Sequence, residues 1–353
     1  MITSWVASPA GIRVSQRPSR HRTSSSWVAS ARTREVDCAF MTSIDTLHDQ
    51  FRRELVEAGL LFDTGLDGLY ARGAEFERIL DAVDHLITRD GHAASDLTPA
   101  GSGYRLYRFP PVFPRDVYDK TDYIESFPDL TGLVHTFTGS SSDHRALLAQ
   151  RAADESWDHH LTPGDTVMVS SACHPLYGAI PQQLPEGGIA AEVNGYCFRH
   201  EPSPDPMRMQ AFRMHEFVRI GTPSEAAEFR TAWVGRAQGL LSGLGLEVEA
   251  VAANDPFFGR AGKLLANEQL SNNLKTELVV HVYGDDHPAD AIASCNLAED
   301  HFGRNFSLTL PDGSTAHSAC VGFGLERITL ALLSVHGTDP AQWPATVRET
   351  LFP

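Results

Sequence analysis

The sequence is short of positive charge: 45 acids face 29 bases among its 353 residues, a formal net charge of −16. The shortage is uneven. Residues 1–40 hold six arginines against Glu35 and Asp37, so the remaining chain carries 43 acids against 23 bases, a formal −20. Such a surface repels nucleic acid unless a local basic patch exists. No apolar run approaches the roughly 20 residues of a helical membrane span, so no membrane partner is expected. Paired cysteine spacing is absent too. Cys38, Cys173, Cys197, Cys295 and Cys320 are scattered without a C-x-x-C. That argues against a disulfide scaffold and for a reducing, cytoplasmic setting. There is no G-x-G-x-x-G and no P-loop, which disfavours a parallel nucleotide-binding sheet. No heptads are sustained, which excludes a long coiled-coil hairpin.

What is present is ordinary globular composition, 42% hydrophobic and 21% charged, in a length that suits one large domain or two small ones. The first forty residues read as an appendage. "SWVAS" occurs at Ser4–Ser8 and again at Ser26–Ser30, among Ser, Arg and Pro. The stretch is Arg- and Ser-rich and acid-poor, as transit peptides are, yet Met41 opens "MTSIDTLHDQF", a normal protein start. Residues 1–40 are therefore expected to be a disordered or untranslated extension. Residues 41–353 are expected to form the working domain, with a helical N-terminal part over about 43–100.

The periodicity predicts a helix from Ser43 to a stop at Gly59, a second over about Gly73–Arg89, and another over about Ser142–Trp157. The Pro-rich Tyr107–Tyr118 cannot be helix interior and reads as an extended edge segment. Strands are expected at Asp165–Cys173, Gly188–Glu201 and Ala211–Gly221, the last two joined as a long hairpin. "TPSEAAEF" from Thr222 is a capping box, with Thr222 as cap, Pro223 in the first turn and Glu225 three after the cap. Further strands are expected at Leu246–Ala252, Glu277–Tyr283, Ala291–Asn296 and Phe306–Leu310, and "PDGS" (Pro311–Ser314) turns the chain into a last one. Strands arriving mainly in adjacent hairpins, with helices around them, imply an antiparallel sheet of the α+β class.

Two stretches concentrate chemistry. In "CFRHEPSPDPMRMQAFRMHEF", Arg199 and Glu201 are placed on one face of a strand expected to be central, and Arg208 and Arg213 return after the loop. A central arginine needs an anionic partner. In "VGFGLERITLAL", Gly322 and Gly324 precede Glu326 and Arg327, and a buried helix follows to about His336, stopping at Gly337. The glycines permit close approach, and an arginine in the first turn of a buried helix points at an anion. A triphosphate meets both demands.

Taken together, these stretches resemble the second and third signature motifs of class II aminoacyl-tRNA synthetases. The second is similar to Phe198-Arg199-x-Glu201 followed by Arg213-x-x-x-Phe217, with Gly221 standing where the family expects an acid. A second register, Arg208-x-x-x-Phe212-x-x-x-Glu216, fits the same letters; the first is preferred because "FRMHEFVRIG" looks like the seryl enzymes' returning strand. The third motif is similar to Gly322-x-Gly324-Leu325-Glu326-Arg327. Pro111 in "RFPPVF" looks like the first motif's proline, which implies a homodimer. The resemblance runs from about Gly101 to the C-terminus and implies a class II synthetase-like antiparallel sheet flanked by helices. It further implies that Arg199 grips the α-phosphate of ATP, Glu201 meets the adenine and Arg327 holds the γ-phosphate side. Arg208, Met209, Arg213, Ala291 and Ile292 are expected at the same ATP site. Asp290, leading "DAIASCN", would serve Mg²⁺ and ATP. Lys275 and Glu277 resemble a basic and acidic pair lining the pocket, with Asn296 beside the substrate.

Spacing alone says little for a metal, since buried cysteine is usually core filler. Glu216, however, is a carboxylate in a mostly apolar strand and wants a partner. The atypical zinc-containing seryl-tRNA synthetases place Cys, Glu and Cys at points similar to Cys173, Glu216 and Cys320. The resemblance thus implies one zinc per chain on these three, all expected on one sheet, with a fourth position left for a substrate amine. Cys295 is the rival third ligand, and Cys197 is expected to pack.

A seryl enzyme carries an extra tRNA-binding domain. Here only about sixty residues of helical sequence precede the catalytic pattern, and the acidic body offers no tRNA footprint. The chain most resembles the amino acid:[carrier protein] ligases, truncated homologues of the zinc-dependent seryl enzymes. The resemblance implies that ATP and glycine or alanine form an aminoacyl-adenylate, and that the aminoacyl group passes to the phosphopantetheine thiol of a carrier protein rather than to tRNA. Arg260 and Lys263, three apart in "FFGRAGKLLANEQL", are a candidate docking spot for an acidic carrier. Two alternatives remain: a synthetase charging tRNA with a domain supplied in trans, and a catalytically silent regulatory paralogue. The second would be expected to lose its phosphate arginines, and Arg199 and Arg327 are both present.

Overall fold

The structure, a computed structural model, describes residues 30–99, 102–253 and 274–353, with side chains in the first helix described from Ile44. The backbone is thus described from Ser30, and residues 1–29 of the expected extension lie outside the described residues, as do Arg260 and Lys263. Residues 44–353 make one compact unit. Among the described residues no helix is long and apolar enough to cross a membrane.

The N-terminal part is helical, as its periodicity predicts. Helix α1 (Ser30–Glu57) stops just before Gly59, whose φ of +68° suits glycine. A short hairpin of β1 (Leu61–Asp63) and β2 (Tyr70–Arg72) leads into α2 (Ala74–Ala93). Phe76, Ile79, Leu80, Val83, Leu86 and Ile87 recur at three- and four-residue spacing on α2 and are buried, so one apolar stripe docks the helix on the sheet.

The central sheet has seven strands in the order β3 (Arg105–Tyr107), β7 (Ile189–Phe198), β8 (Ala211–Gly221), β12 (His317–Gly324), β11 (Asp290–Glu299), β10 (Lys275–Val280), β9 (Glu249–Ala252). Every pairing is antiparallel except β3 with β7. The Pro-rich segment is an edge as expected, but of a second, smaller sheet: Val112–Pro114 forms its outer strand, where proline's missing N–H costs no inner ladder bond, and Arg115–Tyr118 turns into a short helix rather than staying extended. A second sheet of three strands joins β4 (Val112–Pro114), β6 (Thr162–Met168) and β5 (Leu133–Thr136). Single-turn helices α3 (Arg115–Tyr118) and α4 (Tyr123–Ser126) follow β4, and α5 (Ser141–Ala152) precedes β6.

The central sheet buries both faces, and β8 shows how. His215 and Phe217 point to one side, where Phe217 stacks on Trp233 with ring centroids 4.9 Å apart. Trp233 belongs to α7 (Pro223–Ser242). Met214, Val218 and Ile220 point to the other side and join a separate core with Val167, Leu176 and Phe306. Alternation by two thus splits one strand between two cores. The cap of α7 is as the sequence predicts: Thr222 Oγ1 accepts from Glu225 N, and Thr222 N donates to Glu225 Oε2 at 2.8 Å. Such a box contributes about 0.5–2 kcal/mol.

Several boundaries differ from expectation. The strand expected over Asp165–Cys173 ends at Met168 and lies in the small sheet. Cys173 instead caps the short helix α6 (His174–Ala179), where Pro175 suits the first turn. Phe306–Leu310 is not a strand; α8 (His301–Asn305) precedes it, and Leu308 N bonds back to Gly303 O at 2.8 Å. The helix expected to reach Trp157 stops at Ala152. Helix α9 (Leu325–His336) ends at Gly337, with φ of +87°, as the sequence predicts, and α10 (Ala345–Leu351) closes the chain.

Candidate active site

The register lays out the polar face of the sheet row by row. Directly opposed residues of an antiparallel pair share a face. One row reads Val193, Glu216, Gly322, Ser294 and Glu277 across β7, β8, β12, β11 and β10. The next reads Ala191, Val218, Cys320, Asn296 and Lys275. On the other side of Glu216 lies Gly195, Met214 and Gly324, and beyond that Cys197 and Phe212. Gly322 and Gly324 are therefore the end of a strand, not a turn, and keep the sheet bare. A Cβ on Gly322 would stand 2.8 Å from Met214 Cε and 3.5 Å from Glu216 Cγ, and one on Gly324 would stand 3.7 Å from Arg327 Cβ.

Cys173, Glu216 and Cys320 converge, with one ligand atom of each within 4.8 Å of the others. The expectation that all three sit on one sheet is corrected: Cys173 arrives from the loop above it. Glu216 is buried, and its Oε1 accepts from Ser171 Oγ at 3.1 Å and from Cys173 N at 3.2 Å. Burial raises the Glu216 carboxyl, and contact with the Cys320 sulfur, together with burial, raises the Cys173 thiol well above its ordinary range. Two thiols and a carboxyl so crowded need a cation to ionise together, and the donor set is one that zinc accepts. The rival ligand is excluded by geometry. Cys295 opposes Val321 and packs in the core on the opposite face, where burial pushes its thiol up to about 12. Cys197 packs, as expected.

Beside this cluster lies a concentration of guanidinium charge. Arg199 follows the end of β7; its Nε donates to Ser170 O at 3.0 Å, and its guanidinium lies 5.4 Å from the Phe212 ring centroid. Arg327 donates from Nε to Met207 O and from Nη1 to Ala291 O, each at 3.0 Å. Burial, then Arg208 and Arg199, push Arg327 down to about 10. Asp290 and Glu201 oppose that shift, so Arg327 senses both the other two arginines and the two carboxylates. Asp290 is buried, is pushed up to about 6 by burial and by Asp205, and its Oδ2 accepts no hydrogen bond. Arg327, which Arg199 and Arg208 both repel, beside a carboxylate oxygen without a hydrogen bond, is an arrangement that could take a polyanion with a cation.

Arg213 does not join that seat. Its Nη1 and Nη2 donate to Glu77 at 2.6 and 2.8 Å, and its Nε donates to Glu326 Oε1 at 2.9 Å. Glu326, fully buried, also pairs with Arg72 at 3.1 Å. Arg213 is therefore a structural cation tying α2 and α9 to β8. The preferred register of the second motif is corrected with it, since Phe217 is buried on the opposite face. The register Arg208, Phe212, Glu216 places its strand members on the polar face and supplies the acid that Gly221 does not.

Of the remaining expected residues, Lys275 pairs with Glu277 at 2.9 Å, and Asn296 Nδ2 donates to Ser294 Oγ at 3.2 Å. Ala291 contributes its carbonyl. Met209 and Ile292 are core, which corrects their placement at the ATP site: both are packed in the helix-side cluster. Phe212 stood only in the less favoured register. Ser170 and Ser171 carried no signal, because one acts through its carbonyl and the other through a contact 45 residues away.

No protein-family model matches the chain. Over 294 residues it is 38% identical to amino acid--[acyl-carrier-protein] ligase 1 of Bradyrhizobium diazoefficiens, covering 83% of this chain and 87% of that protein. Ligase 2 of the same organism is 37% identical, with 83% and 85% covered. Among solved structures, M. kandleri SerRS in complex with A. aeolicus tRNASec superposes with a TM-score of 0.71 at 20% identity. That match covers 85% of this chain and 60% of the synthetase, so the two share the seryl-type class II fold while this chain spans under two thirds of the other.

Proposed function

The chain belongs to the amino acid--[acyl-carrier-protein] ligases, and from that premise we propose that it activates a small amino acid with ATP and passes it to the thiol of a phosphopantetheinylated carrier protein. One observation carries the reading. Ser170 and Ser171 are consecutive, and the first holds Arg199 while the second holds Glu216. An anion-binding arginine and a carboxylate facing two thiols are thereby fixed side by side, matching the two ends of a zwitterionic amino acid.

The chemistry follows from that spacing. Cys173, Glu216 and Cys320 would hold zinc, which when bound supplies a Lewis-acid seat for the substrate's α-amine. Arg199 then orients the substrate carboxylate against the α-phosphate. A carboxylate oxygen attacks the α-phosphorus, and the bond to the bridging oxygen breaks to release pyrophosphate. Arg208 and Arg327 receive the charge that accumulates on the leaving phosphates, and Asp290 would hold the accompanying Mg²⁺, which when bound would neutralise part of that charge. Phe212 offers a flat apolar platform for adenine, with Glu201 at its edge. In the second step the carrier thiol, losing its proton, attacks the acyl carbon and expels AMP. The protein contributes mainly position and preorganised charge. The likeness of Pro111 to the first motif's proline supports a homodimer with that segment at its interface.

The test is ATP–pyrophosphate exchange with each amino acid, followed by transfer to holo-carrier and, separately, to tRNA. Exchange with glycine or alanine and labelling of the carrier support the reading. Charging of tRNA without labelling of the carrier overturns the acceptor. Absence of exchange with every amino acid overturns the site.

A further inference from the structure

We infer that Met214 biases the enzyme toward glycine over alanine by occupying the space where a larger α-substituent would go. The inference rests on the proposed reading, in which the amine sits at Glu216 and the carboxylate at Arg199.

Those two seats fix where the substrate's α-carbon lies. Glu216 and Phe212 are four residues apart on one face of β8, and Arg199 lies over Phe212. An amino acid reaching from one to the other crosses the row between them. That row is Gly195, Met214 and Gly324, and the neighbouring row contributes Gly322 next to Glu216. Three glycines thus surround one long side chain. Gly195 is open above: a Cβ there would meet nothing closer than Phe109 O at 3.9 Å. Gly322 is not, because Met214 Cε lies 2.8 Å from where its Cβ would be. The thioether is therefore folded toward Gly322 and the Glu216 carboxylate rather than away along the sheet. It is half buried and packed on the polar-face core.

A hydrogen on the substrate's α-carbon meets no obstacle in this arrangement. A methyl competes with the methionine methyl for the space that the glycines leave. Methionine has three rotatable bonds, so the barrier is soft. A methyl group in a tight apolar pocket is worth roughly 10- to 200-fold in discrimination, and a yielding wall belongs at the low end. The wild type is therefore expected to favour glycine over alanine by about 10-fold or somewhat more. Leucine nearly conserves the volume of methionine with a stiffer branch, whereas alanine vacates it.

The experiment compares exchange kinetics with glycine and alanine in the wild type, Met214→Ala and Met214→Leu, with melting temperature and zinc content as controls. Binding of glycyl- and alanyl-sulfamoyl adenosine to the wild-type protein is measured by calorimetry alongside. The glycine-to-alanine ratio of kcat/KM is expected to fall by about 10-fold in Met214→Ala, through improved use of alanine, and to be kept in Met214→Leu. The glycyl analogue is expected to bind the wild type more tightly. An unchanged ratio in a folded, zinc-loaded Met214→Ala overturns the inference. So does tighter binding of the alanyl analogue by the wild type, which decides the matter even if Met214→Ala does not fold. A wild type that activates no amino acid overturns the functional reading and this inference together.

Discussion

Arg208 is the arginine whose removal best separates an anion seat from a structural ion pair. It is exposed, its backbone N–H bonds to Asp205 O at 3.0 Å, and its charge presses on Arg327. In Arg208→Ala the free protein loses repulsion from Arg327 and attraction to Asp290, which offset each other, so the stability of this exposed site should change by less than about 0.5 kcal/mol. The nucleotide complex loses a charged hydrogen bond of about 1.5–3 kcal/mol, which is a weakening of roughly 10- to 150-fold. Ligand stabilisation follows RT ln(1 + [L]/Kd), about 2.7 kcal/mol for the wild type at 100 times its Kd. At that same ATP concentration the variant retains between about 1.4 and about 0.3 kcal/mol. Thermal melting with and without Mg-ATP reads both quantities in one experiment, and the KM for ATP in pyrophosphate exchange should rise in step. A lowered melting point of the free variant with an undiminished ATP response would refute the assignment of this cluster to nucleotide.

The other predictions test other parts of the site. Metal analysis should find about one zinc per chain in the wild type and in Cys295→Ser, and loss of it in Cys173→Ser, Glu216→Gln and Cys320→Ser; retention in Cys320→Ser would break the proposed ligand set. Glu326→Gln leaves Arg72 and Arg213 without their shared carboxylate, so urea unfolding should show a loss of about 3–5 kcal/mol. Phe217→Ala opens a core cavity and should cost about 3–5 kcal/mol while leaving the KM for ATP alone, whereas Phe212→Ala should raise that KM with little change in stability; the reverse pattern would restore the other register. Asp290 is pushed up to about 6 from an ordinary 3.8, so the free folded state binds its proton more tightly than the unfolded chain does. That contribution is present below about pH 4 and is lost as pH rises through about 6, up to about 3 kcal/mol in all. Stability of the wild type relative to Asp290→Asn should therefore decline from pH 4 to 6, and parallel profiles would contradict it.

Much of this architecture is legible in the sequence because its signals are local. Thr222, Pro223 and Glu225 announce the start of α7 within four residues, and Gly59 and Gly337 mark helix stops through the backbone conformation they permit. The convergence of Cys173, Glu216 and Cys320 was reachable through resemblance alone, since the three are spread over 148 positions and only a folded sheet unites them. What could not be read was the path of the chain at Cys173. A run such as "DTVMVSSAC" looks like one strand, yet tertiary pairing ends it at Met168, and the following serines are needed as a clasp for Arg199 and Glu216.

The two registers of the returning strand make the deeper point. By letters, Arg213 with Phe217 and Arg208 with Phe212 both read Arg-x-x-x-Phe, and they differ by five residues, an odd number. In a strand an odd shift exchanges the faces. The choice therefore decides which arginine meets phosphate and which phenylalanine is core, a matter of sheet face and not of residue type. Two consequences discriminate. The face that carries Phe212 must also carry Glu216, and a buried carboxylate there is tolerable only opposite groups that can share a cation, which Cys173 and Cys320 are. The face that carries Arg213 must supply it with carboxylates, which Glu77 and Glu326 do. Arg213 is thus assigned by the carboxylates that await it across the sheet, and Met214, on the Glu216 face, takes its proposed place beside the substrate from the same alternation.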